Sequence, residues 1–582
     1  MSFQYDLVVR GGTIVDGSGA EPFVGDIAVD GDRILTIGTV PGTGREEIDA
    51  AGRLVTPGFV DVHTHYDGQI TWEHRLMPSS NHGVTTVVMG NCGVGFAPVR
   101  QGDHEMMIKL MEGVEDIPEV VMAAGVPFNW ETFPEYLDAI ETRHADIDFA
   151  AQIPHSPLRV YVMGRRGAEL QPPTEAELAE MTRLTAEAIR QGAIGVSTSL
   201  NMVHRFRDGR PAPSTRTASE EVLALARGLR EAGSGVFQLI GNSDTSKEEQ
   251  FEMLRQIAQT SGRPVSFTFA QSPAAPGEWR WTLNALDAAN AEGLTIRGQV
   301  IPRPPAIMMG LELLFHPFAF HPSFKQLADL TLDDKVARLR DPAFKARLLS
   351  EEPCETNPHF RNIVSEHNLL FALGDPPNYH PQADESVGAI AAREGRDPLD
   401  VAYDMLLRKD GREILFRPLG NLEGERFESA GRNMLQSPYT ILGLGDGGAH
   451  YSSICDAAYT TYFLTYWCRD AAPDRRIALG DAIHQLTRQP AVAMNLLDRG
   501  MLQAGMKADI NIIDLERLHL HAPRPAYDLP TGARRLTQRA DGYVATIVSG
   551  KITYRHGAHT GALPGRLVRG ARPTPEPVSA CI

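Results

Sequence analysis

Apolar and polar residues alternate in the first part of the chain, over Asp6 to Gly12, Thr13 to Gly17 and Asp26 to Gly38, and a glycine closes each run. A period of two with glycine punctuation is the pattern of a half-buried antiparallel sheet. The same texture returns at Ala508 to Asp514 and at Tyr543 to Tyr554. Domain ends often lie close together, so residues 1–56 and 501–582 are expected to join in one small β-sandwich, with a poorly structured tail after Arg569. Between them the pattern changes. Eight apolar runs, Leu54 to His65, Val84 to Asn91, Phe149 to His155, Ile194 to Leu200, Val236 to Asn242, Val265 to Ala270, Thr295 to Ile301 and Ile441 to Asp446, alternate with amphipathic helical stretches. Thr217 to Glu220 has the spacing of a capping box opening a helix to Arg230, with Gly233 as its C-cap. Strand and helix repeated eight times predict an α/β fold, a distorted (β/α)8 TIM barrel over residues 57–500. The long segment before the last strand, about 303–440, is expected to form a lid insertion.

Composition narrows the function classes. The 582 residues carry 56 Lys and Arg against 73 Asp and Glu, a net charge of −17, which gives no global support for binding nucleic acid or an anionic membrane. No apolar run approaches the ~20 residues needed to cross a bilayer, and the N-terminus lacks a basic region followed by an apolar one. Five scattered cysteines do not form a disulfide framework, so a reducing, cytoplasmic setting is expected. The expected partner is a small-molecule substrate; association into homo-oligomers stays open.

Candidate chemistry clusters at the ends of the predicted strands. In Asp61-Val-His63-Thr-His65 the two histidines are two residues apart, so on a strand both imidazoles face one side at the end where barrel active sites lie. They either hold a divalent metal or form a satisfied core pair. Cys92, in Gly90-Asn-Cys92-Gly, ends the next strand and is either a thiolate ligand or a small buried apolar residue. Asp446, in Gly445-Asp446-Gly-Gly-Ala-His450, is either a ligand that also moves a proton or a turn-forming carboxylate. His450 could be a further ligand, a substrate contact or a first-turn surface residue, and His155 a pocket residue or one satisfied by loop backbone. Arg303 suits either a substrate carboxylate or a structural ion pair.

Asp61 to His65, the Asn-Cys-Gly segment, Gly445-Asp446-Gly-Gly, Thr487 to Ala491, Asp498 to Leu502, Gly505 to Asp509, Asp528 to Gly532 and Gly561 to Arg566 together resemble the N-acyl-D-amino-acid deacylase (D-aminoacylase) branch of the amidohydrolase superfamily. The resemblance spans nearly the whole chain. It implies a metal-dependent amidohydrolase, a barrel with a small β domain and zinc at the barrel mouth, with Cys92 a metal ligand and Asp446 the catalytic acid/base. One departure stands out. Members of the branch usually place histidines at the ends of the fifth and sixth strands, where this chain reads Gly235 to Asn242 and Pro264 to Gln271 with none. No lysine stands there to form a carbamylated bridge. One divalent ion, zinc by its ligand set, is therefore expected rather than two, held by His63, His65 and Asp446, with Cys92 open and Gln238, Asn242 or His450 completing the site.

The expected reaction is hydrolysis of the amide of an N-acyl-D-amino acid or similar small amide by metal-activated water. Its competitors are an amidohydrolase acting on a cyclic amide, imide or ester, and a non-catalytic binding protein that retains the fold.

Overall fold

In a computed structural model, which describes residues 3–576 except 243, 273, 274, 276, 422 and 423, eight parallel strands form the central sheet. They are β1 (Phe59–Asp61), β2 (Val84–Met89), β3 (Asp148–Pro154), β4 (Gly195–Ser199), β5 (Val236–Ile240), β6 (Val265–Thr268), β7 (Ile296–Val300) and β8 (Thr440–Leu442). Each lies within or against one of the eight apolar runs read from the sequence. Strands β2 to β4 are buried along their whole length, as parallel strands covered on both faces must be. Every neighbouring pair is parallel, in chain order from β1 to β8. The chain beyond β1 and the chain beyond β8 then meet: Asp446 N donates to His63 O at 3.1 Å and His65 N to Gly447 O at 2.8 Å. The two edges of the sheet are thus bridged at the rim that carries the candidate residues.

The chain ends build a nine-stranded sheet. Strand Leu54–Pro57 is its seam, pairing in parallel with Tyr5–Ile14 and antiparallel with Ile510–Ile513. Because Tyr5–Ile14 also runs parallel to Gly44–Asp49, the sheet is mixed and not purely antiparallel as its alternation suggested. Alternation reports one buried face; it is silent on strand direction. The seam runs straight into β1 through Pro57 and Gly58, so the sheet fixes where the barrel starts.

Between β7 and β8 the segment has its own apolar core, including Phe318, Phe344, Leu348, Val401 and Leu415. A three-stranded sheet of Ala306–Met309, Leu415–Pro418 and Phe371–Ala372 holds it together. Two local expectations need correction. The helix after Thr217 runs Ser219–Ala232 from an Ala218 N-cap without a side-chain cap, because the Thr217 hydroxyl donates to Ser214 O at 3.0 Å in the preceding turn; Gly233 does close it in a left-handed conformation. The tail is not loose from Arg569 onward, since Gly570 N donates to Gly192 O and Arg572 N to Asn495 O, each at 2.8 Å. Cys581 lies outside the described residues. No helix among the described residues is long and apolar enough to cross a membrane.

Candidate metal centre

Residues Asp61, His63 and His65 follow one another at intervals of two along β1 and its extension, and all three are at most 1% exposed. The Asp61 carboxylate accepts the His63 backbone N–H at 3.1 Å, which fixes the extended chain on which the imidazoles are mounted. At the end of β2 the chain turns sharply. Asn91 Nδ2 donates to Thr64 O at 3.1 Å and to Val88 O at 2.9 Å, and Cys92 adopts a left-handed conformation, φ 57°. Gly90 permits the turn: its φ is 79°, and a Cβ there would stand 2.3 Å from Gln152 O. Asp446 and His450 are also left-handed, φ 47° and 51°. Non-glycine residues held in this region are uncommon and cluster where surrounding structure aims side chains at a site.

Four donor atoms converge. Cys92 Sγ lies 3.2 Å from His63 Nε2 and 3.6 Å from His65 Nε2. Asp446 Oδ1 lies 3.5 Å from His63 Nε2 and 3.6 Å from His65 Nε2. Donors about 2.0–2.3 Å from one zinc stand ~3.3–3.7 Å apart at the corners of a tetrahedron; each of these four contacts is close to that spacing, and His63, His65 and Cys92 by themselves form a group of three mutually close donors, with Asp446 approaching the two imidazoles. The donor set, two imidazoles, a thiol and a carboxylate, suits zinc. Cys92 thus sits with the histidines, which favours the ligand reading over the bland one.

The electrostatics agree with that geometry. Burial lowers the His63 pKa to about 4, so its ring is neutral. Its Nδ1 faces Gln299 Oε1 at 2.6 Å, and the only proton arrangement that satisfies both keeps hydrogen on Nδ1 and leaves Nε2 with its lone pair toward the other donors. Burial also acts to lower His65, but Glu115, Cys92 and Asp446 together hold it well above the usual histidine value. Burial acts to raise Asp446, and His65, His63 and His450 more than offset it, so its pKa falls below the carboxylate range. Burial pushes the Cys92 thiol up to about 12 and the Asp61 carboxyl to about 8. Asp446, 22% exposed in its side chain, is the donor that reaches the opening.

Other expected residues are placed differently. His155 is fully buried, with Nδ1 2.7 Å from Thr198 Oγ1 and Nε2 2.9 Å from Glu221 Oε1, so neither ring nitrogen is free for a substrate. Arg303 is sealed too: it pairs with Asp456 at 2.6 Å, donates to Cys455 O at 2.7 Å and covers the Tyr379 ring. It is the structural ion pair and not a substrate contact. Asn242 closes a turn, accepting from Asp244 N at 3.0 Å. Gln238 stays at the site: its Oε1 accepts the Cys92 N–H at 3.2 Å, while its Nε2 is buried without a partner. His450 also stays, 22% exposed, with Nε2 3.5 Å from Glu115 Oε2.

Three residues escaped the sequence reading. Gln299 on β7 lies in an apolar run with no motif around it. His204, in the loop after β4, feels the charges of His450, His65, Asp446 and His63 and has a buried Nδ1 without a partner. Glu115 is the last residue of α1 (His104–Glu115) and is 1% exposed. A signal for it existed: Met107, Leu110, Met111 and Val114 make an apolar helical stripe, and Glu115 continues that stripe with a carboxylate.

The chain is similar to several known proteins along nearly its whole length. A D-aminoacylase of Alcaligenes xylosoxydans xylosoxydans is 25% identical over 576 residues, 97% of this chain and 97% of its own length. A solved D-aminoacylase with a binuclear metal centre superposes with a TM-score of 0.65 at 23% identity, covering 97% of this chain and 100% of that one. The N-acyl-D-glutamate deacylase of Bordetella bronchiseptica, solved with zinc and a phosphonate mimic of the tetrahedral intermediate, gives 0.63 at 22% identity over 97% of this chain and 99% of that one. These two structures share the fold. Residues 46–554 match the amidohydrolase family, which takes in the barrel and every converging donor, and the chain belongs to that family of hydrolases acting on carbon–nitrogen bonds other than peptide bonds.

Proposed function

We propose that this chain is a metal-dependent deacylase that cleaves the amide of an N-acyl-D-amino acid. The observation that carries the reading is the convergence of His63, His65, Cys92 and Asp446 at 3.2–3.6 Å on the rim of the barrel. These four would hold one divalent ion, zinc by the donor set, which when bound acts as a Lewis acid and lowers the pKa of water from 15.7 toward ~7. Relatives named for N-acyl-D-amino-acid substrates support the substrate class, and one solved D-aminoacylase is described by one-metal activation and second-metal attenuation. The single-ion reading has support within the chain as well, because strands β5 and β6 offer Gln238, Ser266 and Thr268 where imidazoles would be needed for a second ion.

The chain's own groups account for the proton movements. Asp446, ionised at neutral pH and facing the opening, takes the proton of the attacking water and returns it to the departing nitrogen. His63 stays neutral throughout, held by Gln299. Gln238, tied to the Cys92 backbone, keeps the thiol aimed inward. His450, partly exposed beside Glu115, is a polar group that would meet substrate.

The test is a panel of N-acyl-D-amino acids, their L-enantiomers and cyclic amides, assayed with zinc-reconstituted protein whose metal content is measured. Turnover confined to the D-series, with about one ion per chain, is expected. Hydrolysis of cyclic amides alone would replace the substrate assignment, and protein that binds no divalent ion would overturn the reading altogether.

A further inference from the structure

Glu115 is a buried ionisable group beside the candidate centre that takes no part in the proposed proton movements. Glu115 is 1% exposed, and neither carboxylate oxygen has a hydrogen-bond partner. Its Oε1 lies 3.4 Å from His65 Nδ1, itself buried without a partner, and its Oε2 lies 3.5 Å from His450 Nε2. Burial pushes the Glu115 carboxyl up to about 7, and what works against burial there is the imidazole of His65.

The backbone around it is arranged to keep it there. Helix α1 ends at Glu115, and Asp116 leaves the helix in a left-handed conformation, φ 51°. The His450 N–H donates to the Glu115 carbonyl. Asp116 accepts from Ser452 N at 3.2 Å and from Ser453 Oγ at 2.9 Å. The end of one helix therefore clamps the loop that carries both Asp446 and His450.

We infer that Glu115 is a positioning residue shared by two imidazoles: through Oε1 it keeps the proton of His65 on Nδ1 so that Nε2 faces the centre, and through Oε2 it anchors His450 over the opening. The two ligand histidines are then held by different means. His63 has a neutral amide oxygen, Gln299 Oε1, hydrogen-bonded behind its Nδ1 at 2.6 Å; His65 has a carboxylate oxygen 3.4 Å from its Nδ1, in ion-pair contact. A carboxylate behind a ligating imidazole fixes its tautomer and raises its basicity, so His65 becomes the stronger donor of the pair. The second oxygen holds His450, on the loop after β8, beside the same helix end. This inference rests on the metal-site reading above, but its test does not rest on the substrate.

The measurement is zinc affinity by chelator competition in the full-length protein, together with thermal stability of the metal-free form. Glu115→Gln and Glu115→Ala are expected to bind zinc about 10–100-fold more weakly, the usual consequence of losing an outer-shell partner. The metal-free melting temperature of Glu115→Gln should stay near wild type, because the isosteric amide keeps the packing and an oxygen facing His65. That contrast separates positioning from packing, since a purely structural residue would weaken both together. His450→Gln should leave zinc affinity within about threefold of wild type and change kcat or KM. Wild-type zinc affinity in Glu115→Ala would overturn the inference, as would a metal-free melting temperature that falls in step with affinity in Glu115→Gln. A wild-type protein that binds no zinc would overturn the metal site itself, whereas a metal-binding protein inactive on N-acyl-D-amino acids would leave the role of Glu115 intact and change only the substrate.

Discussion

Asp446 owes its charge to its neighbours. Burial alone would favour the neutral acid, but His65, held well above the usual histidine value, faces it and keeps it ionised. Replacing it with Asn keeps the shape and removes the proposed proton acceptor. Asp446→Asn is expected to lower kcat by about 10²–10⁴-fold, the usual weight of a general acid–base group, with an unchanged circular dichroism spectrum; a folded, fully active variant would remove Asp446 from the reaction. At this scale the sequence was legible where residues share a short motif. Asp61, His63 and His65 follow the period of a strand, and glycines flag the turns around Cys92 and Asp446. It was not legible where a group acts across the barrel. Gln299 reaches His63 from 236 residues away, and nothing local marks it.

Elements carry the site because each ends at the right place. Strands β1, β2 and β8 stop at one rim, and the turns beyond them are left-handed at Cys92, Asp446 and His450. Gly448 closes the last turn, and a Cβ there would press to 2.7 Å from His65 O, so the loop packs directly on the chain that bears His63 and His65. The element after β7 shows where residue-type reasoning stops. An arginine just past a barrel strand reads equally as a substrate clamp or a strut, and the choice depends on whether a buried acid faces it. Asp456 does, from 153 residues further on. Arg303→Ala is accordingly expected to cost about 3–5 kcal/mol in chemical denaturation, because it leaves Asp456 buried and unpaired, while KM of the remaining folded enzyme is unchanged. A raised KM at full stability would return Arg303 to the substrate. The missed N-cap at Ala218 has the same origin: a Thr hydroxyl can satisfy a turn carbonyl as readily as a helix N–H, and the spacing of four letters does not say which.

The whole molecule is tied together by contacts between distant parts of the chain. Arg499 and Lys507, on the return toward the small sheet, pair with Asp148 at the start of β3 at 2.8 and 2.7 Å. His82, just before β2, meets Thr461 Oγ1 at 2.8 Å and Gln538 O at 3.0 Å, joining the barrel, the helix Tyr459–Tyr462 and the C-terminal region. Burial lowers its pKa to about 4. The unfolded chain, at about 6.5, binds more protons between those values, so this group's contribution is present above pH ~6.5 and is lost as pH falls toward about 4. Equilibrium denaturation of metal-free protein should therefore show stability falling across that window, with a shallower fall in His82→Gln; parallel curves would show that His82 does not set it. What the sequence determined by itself was whatever repeats locally: the strand period, the glycine-bounded turns, the eightfold alternation and the paired imidazoles, because backbone geometry imposes those patterns on neighbouring residues. What only the tertiary structure decided was which side chains meet. Glu115 behind His65, Gln299 behind His63 and Asp456 against Arg303 are fixed by closure of the barrel and the packing of its connections, and residues that far apart along the chain leave no shared period to read.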